Sequence, residues 1–161
     1  MNAEMKTMSM TDSEPYQFRT LTGYDQLVIY LPGRAGQWLA GTTRTSDGYI
    51  VGNRTLFHDL LSRMQLSPIT SNGFRRSIPL REGQAQYSEL QLQDEWNIGR
   101  KVIRRLLDEM QDVGLVTMDK STVASTVSFP FIKGWRMTGQ GFIANPFYVS
   151  YNNHLEEGGS L

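Results

Sequence analysis

Residues 88–114 read SELQLQDEWNIGRKVIRRLLDEMQDVG, and the fold predicted from the sequence rests mainly on them. Ser88 and Gln91 have the spacing of a capping box, in which a serine closes the first helical turn and a glutamine three residues later reaches back. The helix that begins there carries the large apolar residues Leu90, Leu92 and Trp96. It is predicted to end before Asn97-Ile98-Gly99, where the sequence favours a turn.

A second helix is predicted from Arg100 to about Val113, with Gly114 as its C-terminal stop. Two helices joined by a short glycine-containing turn form a helix-turn-helix. Residues 115–129 then predict a hairpin, because two β-rich segments flank a polar tip at residues 119–121.

The segments around this core complete the predicted fold. An earlier helix, capped by Thr55, carries an apolar stripe as far as Met64. A helix, a helix-turn-helix and a hairpin in this order predict a winged helix-turn-helix of class α+β. Additional β-strands are expected at both ends, at residues 27–31 and after Pro130. Residues 33–52 contain five glycines and are predicted to form turns and short extended pieces.

The chain has 161 residues, the length of one ordinary domain. Residues 1–18 are polar and without periodicity, so we expect a disordered arm. Residues 19–150 are expected to form a single winged-helix domain with N- and C-terminal β extensions, and residues 151–161 a frayed tail. Because no apolar run is long enough for a signal peptide or a membrane helix, the sequence predicts a cytoplasmic protein with no membrane contact.

The composition argues against most enzyme classes. There is no cysteine, which excludes disulfides, thiolate metal sites and cysteine nucleophiles. The two histidines, His58 and His154, have no second ligand or catalytic partner at a suitable spacing. Residues 36–42 have the glycine spacing of a phosphate loop, but Thr42 stands where lysine is needed. We therefore predict a protein that is not an enzyme, with no catalytic residues, no cofactor and no bound metal.

The predicted second helix has two opposite faces. On a helical wheel, the apolar residues from Val102 to Val113 lie on one side. Four cations lie on the other side, namely Arg100, Lys101, Arg104 and Arg105. A solvated helix face is the simplest explanation of such a charge run. However, cations in the first turns oppose the helix dipole, and the acidic residues come last, so stability alone would favour the reverse order.

A phosphate backbone explains this order, because phosphate is attracted both to exposed amides and to cations at a helix start. Arginine outnumbers lysine by twelve to four, which suits bidentate contacts with phosphate or guanine. The sequence thus predicts sequence-specific binding of double-stranded DNA. The predicted DNA-binding residues are Arg100, Lys101, Arg104, Arg105, Ser88, Arg75, Arg76, Arg81 and Lys120.

Several short motifs also resemble a known family. They are Ile78-Pro-Leu-Arg-Glu-Gly83-Gln84, Tyr87-Ser88, Leu90, Trp96, Gly99-Arg-Lys-Val102-Ile-Arg-Arg-Leu106-Leu-Asp-Glu-Met110 and Gly114-Leu-Val116. This set resembles the winged-helix domain of phage and plasmid replication-initiator proteins, also called replisome organisers, over residues 50–128. Residues 141–148, with Asn145-Pro146, look like the "Asn-Pro" strand of some plasmid replication proteins. The resemblance implies replication initiation on a phage, plasmid or other mobile element.

Two other functions stay open at this point. Many bacterial transcription regulators share the cationic helix, so transcriptional regulation is an alternative role. From another class, a winged helix can serve as a protein-interaction adaptor in a larger assembly, and the zero net charge favours that alternative. Replication or transcription proteins and a second copy of the chain, in a homodimer, are further partners that the sequence allows.

Overall fold

The computed structural model describes residues 15–18, 26–66, 69–71, 78–120 and 125–150. The helices within these residues are α1 (Gly33–Leu39), α2 (Asn53–Leu61), α3 (Glu89–Trp96) and α4 (Arg100–Asp112). The strands are β1 (Pro15–Phe18), β2 (Gln26–Tyr30), β3 (Thr42–Arg44), β4 (Ile50–Gly52), β5 (Ile69–Ser71), β6 (Ile78–Leu80), β7 (Gln84–Tyr87), β8 (Thr117–Lys120), β9 (Ser125–Ser128), β10 (Ile132–Met137) and β11 (Gly141–Ala144). These helices and antiparallel sheets confirm the predicted α+β class.

The strands that precede and follow the α3–α4 pair along the chain form a three-stranded sheet of order β7-β9-β8. β7 comes directly before α3, and β8 and β9 follow α4. The β7–β9 register runs from Gln84↔Ser128 to Tyr87↔Ser125. β8 pairs with β9 over the hairpin that the sequence predicts, while the hairpin tip at residues 121–124 lies outside the described residues. The strand before the helices is thus joined to the hairpin after them.

A larger sheet of order β1-β2-β10-β11 brings the two ends of the described chain together. β2 and the strands after Pro130 were predicted from the sequence and are observed. β1 was not predicted, because Pro15–Phe18 falls within the expected disordered arm. For these four residues the prediction is corrected: their backbone pairs with β2, a partner that composition does not indicate. The rest of the arm, residues 1–14, and the predicted tail, residues 151–161, lie outside the described residues.

Two details of the helices also differ from the prediction. Residues 33–52 contain the helix α1, which buries Ala35, Gly36 and Leu39, in addition to the short strands β3 and β4. α2 begins at Asn53 after Gly52, so Thr55 does not cap it. The Asn53 side chain instead bridges two other segments: its Oδ1 accepts from Thr43 Oγ1 at 2.6 Å, and its Nδ2 donates to the carbonyl of Trp38 at 2.9 Å. The start of α2 is therefore fixed by tertiary contacts.

One cluster of buried side chains connects these elements. Phe57 of α2 packs against Phe129 and Phe131, with ring centroids 6.1 and 5.7 Å away. Trp135 of β10 is fully buried and belongs to the same cluster as the buried side chains of α4. Burying each such large side chain stabilises the fold by about 1.5–3 kcal/mol. The buried face of α4 is thus held against a core to which both the small and the large sheet contribute.

Candidate nucleic-acid interface

Helix α3 and the turn that joins it to α4 are held by a local cap and by contacts with the rest of the chain. The Ser88 hydroxyl accepts from the backbone amide of Gln91 at 3.2 Å, which confirms the predicted serine cap of α3. Asn97 ends α3 in the left-handed conformation, with φ of 55°, and its carbonyl accepts from the amide of Ser46 at 2.8 Å. Ile98 is buried, and Gly99 leads into α4 in an extended conformation. The hydrogen bond from Ser46 and the buried side chain of Ile98 therefore anchor the turn.

Trp96 and a group of charged side chains connect α3 to α2. Trp96 is buried and donates from Nε1 to Asp59 Oδ2 at 2.8 Å. Arg63 pairs with the same Asp59 oxygen at 2.9 Å and also with Glu95. We call these four residues the α2–α3 junction. It holds α3, and through the short turn α4, in a fixed position relative to the core.

α4 has the two faces that the sequence predicts. Ile103, Leu106, Leu107 and Met110 are buried, with at most 1% of their surface exposed. On the opposite side the side chains of Arg100, Arg104 and Arg105 are 62%, 51% and 59% exposed, and Lys101 is also exposed. We call these four cations the cationic face of α4.

Glu89 of α3 forms ion pairs with two members of the cationic face. Its Oε1 accepts from Arg100 Nε at 3.2 Å and from Arg104 Nε at 3.0 Å. Burial by itself would raise the pKa of the Glu89 carboxyl, but the hydrogen bonds from Arg104 and Arg100, together with the charges of Arg104 and Lys120, lower it below its usual value. Lys120, the last residue of β8, pairs with Ser125, which pairs on its other side with Tyr87 just before α3, so its charge acts near the start of α3.

Arg105 has a different partner. Its Nε lies 3.5 Å from Glu109 Oε2, which is the i,i+4 pair that the sequence allows. Glu109 Oε1 also accepts from Trp38 Nε1 of α1 at 2.9 Å. Lys101 has no ion pair with any described residue of the chain. The two acidic partners thus lie at opposite edges of the cationic face, Glu89 beside Arg100 and Arg104 and Glu109 beside Arg105. Lys101 lies between these edges and is exposed.

The structure brings together only part of the predicted DNA-binding set. Ser88, Lys120 and the four cations of α4 lie around the start of α3 and α4. Arg81 is elsewhere: its guanidinium lies 5.6 Å from the ring centroid of Phe147, and its Nε is 3.9 Å from Glu82. Arg75 and Arg76 fall outside the described residues. Glu89 was missed by sequence reasoning, because its partners lie 11 and 15 residues further along the chain.

The Gly83-Gln84 and Asn145-Pro146 motifs, which are far apart in the sequence, lie against each other. Gly83 has φ of +87°, and a Cβ placed there would overlap Asn145 Oδ1. The Asn145 side chain is buried and donates to the carbonyls of Phe129 and Ile132 at 3.0 and 2.8 Å, while its Oδ1 accepts from the amide of Phe147. Asn145 thus bridges the turn between β9 and β10, and the absence of a side chain at Gly83 leaves room for it.

The remaining features of the described residues concern possible metal ligands, a pocket and the apolar character of the helices. Among these residues, no three His, Asp or Glu side chains are grouped so as to hold a metal ion. A pocket of about 260 Å³ lies between α4 and the C-terminal segment, lined by Arg34, Gln111, Gly114, Val116, Thr117, Pro130 and Val149. No helix found in the described ranges has the length and apolar character needed to cross a membrane.

Comparisons of the chain with protein-family models, curated proteins and solved structures found no match. The resemblance of residues 50–128 to replication initiators therefore stays a prediction that rests on the quoted motifs.

Proposed function

We propose that this protein binds double-stranded DNA in a sequence-specific manner through the cationic face of α4, and that α2 to β9 act as a winged helix-turn-helix. In that arrangement α4 is the recognition helix and enters the major groove, while the β8–β9 hairpin is the wing. Support for the wing comes from the β7-β9-β8 sheet, because it joins the hairpin to the strand that leads into α3.

The observation that carries the proposal is the start of α4. Gly99 precedes the helix, and no described side chain caps its first amides. These amides point out of the helix start with a partial positive charge. Arg100 and Lys101 in the first turn add two full positive charges, and α4 itself has no acidic residue there. Glu89 of α3 pairs with Arg100, which leaves Lys101 without an ion pair among the described residues. A helix start of this kind favours an anion, and a phosphate of the DNA backbone meets that requirement.

The other charged groups fit the same interface. Arg104 and Arg105 lie one turn further along α4, where side chains of a major-groove helix reach the bases. Their ion pairs with Glu89 and Glu109 involve Nε at 3.0 and 3.5 Å. Each guanidinium carries additional donors on its two terminal nitrogens, and these are the atoms that bind guanine or phosphate. Lys120 would extend the contact from α4 to the wing.

The proposed biological role is replication initiation, or transcriptional regulation, on a phage, plasmid or other mobile element. This role rests on the motif resemblance, whereas duplex binding rests on the charge and geometry of α4. Replication or transcription proteins and a second copy of the chain are the partners that such a role would involve.

The test is duplex binding of the wild type and of an Arg104→Ala/Arg105→Ala double variant across a salt series. Both side chains are exposed, so the fold should persist with little loss of stability. Affinity should fall, and the slope of log K against log salt should shrink by up to about two units if both contact phosphates. If one arginine binds guanine, discrimination at one base pair should weaken by about 1–3 kcal/mol.

A double variant of exposed arginines in α1 and α2, Arg34→Ala/Arg54→Ala, is the matched control. It removes the same charge and should leave the salt slope nearly unchanged. If the wild type binds duplex DNA no more tightly than the millimolar range at low salt, the proposal fails.

The alternative proposal is a protein-interaction adaptor. It is favoured by two large apolar side chains exposed on the β3–β4 hairpin, Tyr49 at 72% and Ile50 at 56%. This hairpin contacts the α3–α4 turn through the hydrogen bond from Ser46 to Asn97. Failure of duplex binding, together with capture of a partner that Tyr49→Ala abolishes, would support the adaptor.

A further inference from the structure

The four-stranded sheet has one face toward the core and one face away from it. Trp135 of β10 pairs with Leu27 of β2, and both are fully buried. The next residue, Arg136, pairs with Gln26 on one side and Phe142 on the other. Because side chains alternate along a strand, Arg136 and Phe142 project from the opposite face, which we call the outer face of the sheet.

Aromatic rings lie along this outer face. Phe142 of β11 is 41% exposed, and its ring lies over Gly134, where a Cβ would collide with it. Tyr30 of β2 and Tyr148 have ring centroids 6.3 Å apart, and both are half-buried. A phenylalanine at this exposure on a sheet face leaves part of its apolar ring in contact with water. Because Gly134 has no side chain, the Phe142 ring occupies the space above it.

Two cations accompany these rings. Lys133 Nζ lies 5.6 Å from the ring centroid of Tyr30, and Arg136 Cζ lies 5.5 Å from that of Phe142. Both side chains are exposed. None of the four strands of this sheet contains an aspartate or a glutamate. The outer face thus combines aromatic surface with positive charge, in a protein whose net charge is zero.

We infer that the outer face of the four-stranded sheet binds single-stranded DNA. In such binding, phosphates pair with cations while unpaired bases stack on aromatic rings. Here Lys133 and Arg136 meet the phosphates, and Phe142 and Tyr30 receive the bases. A duplex cannot bind in the same way, because its bases already stack on one another.

This site is distinct from the cationic face of α4, since it uses other elements and another form of DNA. The stacking surface is inferred from the residues on this face and does not depend on the function proposed for α4. The choice of DNA rather than RNA rests on the proposed function, because a protein that binds a duplex is well placed to hold a strand that separates from it.

The experiment measures binding of the full chain to labelled oligothymidylate of about 20 nucleotides, which exceeds the length that a single binding surface of this kind covers. An abasic phosphodiester of the same length is the second probe, and fluorescence anisotropy at low salt is the readout. The wild type should bind oligothymidylate more tightly than the abasic strand, because only the former can stack.

Variants separate stacking from charge. Phe142→Ala should weaken oligothymidylate binding by roughly 5- to 150-fold and leave the abasic probe nearly unchanged. Phe142→Leu retains apolar bulk without an aromatic face and should show a similar loss, which guards against a folding defect in the alanine variant. Arg136→Ala should weaken both probes. Tyr49→Ala, which removes an exposed aromatic ring elsewhere, should change neither.

The outcomes distinguish this inference from the duplex proposal. The Arg104→Ala/Arg105→Ala variant should lose duplex affinity and keep oligothymidylate affinity. Equal binding of the two single-stranded probes by the wild type, or equal loss of both in Phe142→Ala, would overturn the stacking surface. Tighter binding of oligouridylate than of oligothymidylate would overturn the assignment to DNA.

Discussion

Arginines face carboxylates in two regions of this protein, at the α2–α3 junction and on the cationic face of α4. At the junction, the Arg63 side chain is 19% exposed and pairs with both Asp59 and Glu95. On α4, the Arg104 side chain is 51% exposed and pairs with Glu89 from one side only. The residue types are the same, but the surroundings differ in how much water reaches the guanidinium.

This difference separates an arginine that stabilises the fold from one whose guanidinium is accessible to a ligand. Burial disfavours the charge of Arg63, but Asp59 and Glu95 outweigh that effect and raise the pKa of Arg63 above its ordinary value. Such a guanidinium is committed to its partners, since losing them would leave a partly desolvated charge. Arg104 stays solvated and meets Glu89 through Nε, although the Glu89 side chain is itself only 18% exposed. Its terminal nitrogens can therefore bind a phosphate while the pair with Glu89 persists.

The largest effect is expected at the junction. Trp96→Ala removes a buried indole that fills the space between α2 and α3 and bonds to Asp59. The free energy of unfolding should fall by about 3–5 kcal/mol, as measured by denaturant unfolding. Trp96→Phe keeps most of the ring and should lose less. A cost below about 1 kcal/mol for the alanine variant would mean that the junction does not fix the helix pair.

A smaller loss of stability is expected when a single arginine is removed from each of the two regions. Arg63→Ala should lower the free energy of unfolding by about 1–3 kcal/mol, because Asp59 and Glu95 both lose a charged hydrogen-bond donor. Arg105→Ala, which also breaks an i,i+4 ion pair, is the matched exposed control and should cost at most about 0.5 kcal/mol. Equal costs at the two positions would remove the distinction between them.

The smallest effect is a pH dependence on the cationic face. The pKa of Glu89 is lowered in the folded protein, so its ion pairs contribute stability above its ordinary value of 4.5 and lose it as the pH falls through the folded value. Glu89→Gln should therefore be slightly less stable than the wild type at neutral pH, and the two should converge at acidic pH. Denaturant unfolding at a series of pH values measures this. A difference that stays constant with pH would show that the carboxylate charge is not its cause.

Local sequence was sufficient for the features whose signals repeat within a few residues. The Ser88 cap, the glycine after α4, the division of α4 into buried and exposed faces, and the β8–β9 hairpin all follow from patterns within one or two turns of chain. The second half of the capping box would be a hydrogen bond from the Ser88 amide to the Gln91 side chain. It does not form: Gln91 Oε1 is buried without a hydrogen-bond partner in the described structure. Even a local motif thus depends on what packs over it.

Helix α1 shows how packing overrides local preference. Its sequence, GRAGQWL, contains two glycines, which disfavour a helix by about 1 kcal/mol each relative to alanine. The helix nevertheless forms, with Ala35 and Gly36 buried against the core and Trp38 bonded to Glu109 of α4. The burial of these residues and the hydrogen bond to Glu109 therefore outweigh the low helix propensity of the sequence.

Helical and strand periodicity, together with capping residues, are enough to predict the α+β class, the α3–α4 pair and the face of α4 that carries the cations. Other contacts arise only when the whole chain is folded: Glu89 meets Arg100 and Arg104, and Gly83 lies against Asn145. In the same way, Arg136 and Phe142 come to share the outer face of a sheet. These contacts join segments that are distant in the chain or depend on strand register. Their geometry follows from how the whole core packs, and no local pattern of residues encodes it.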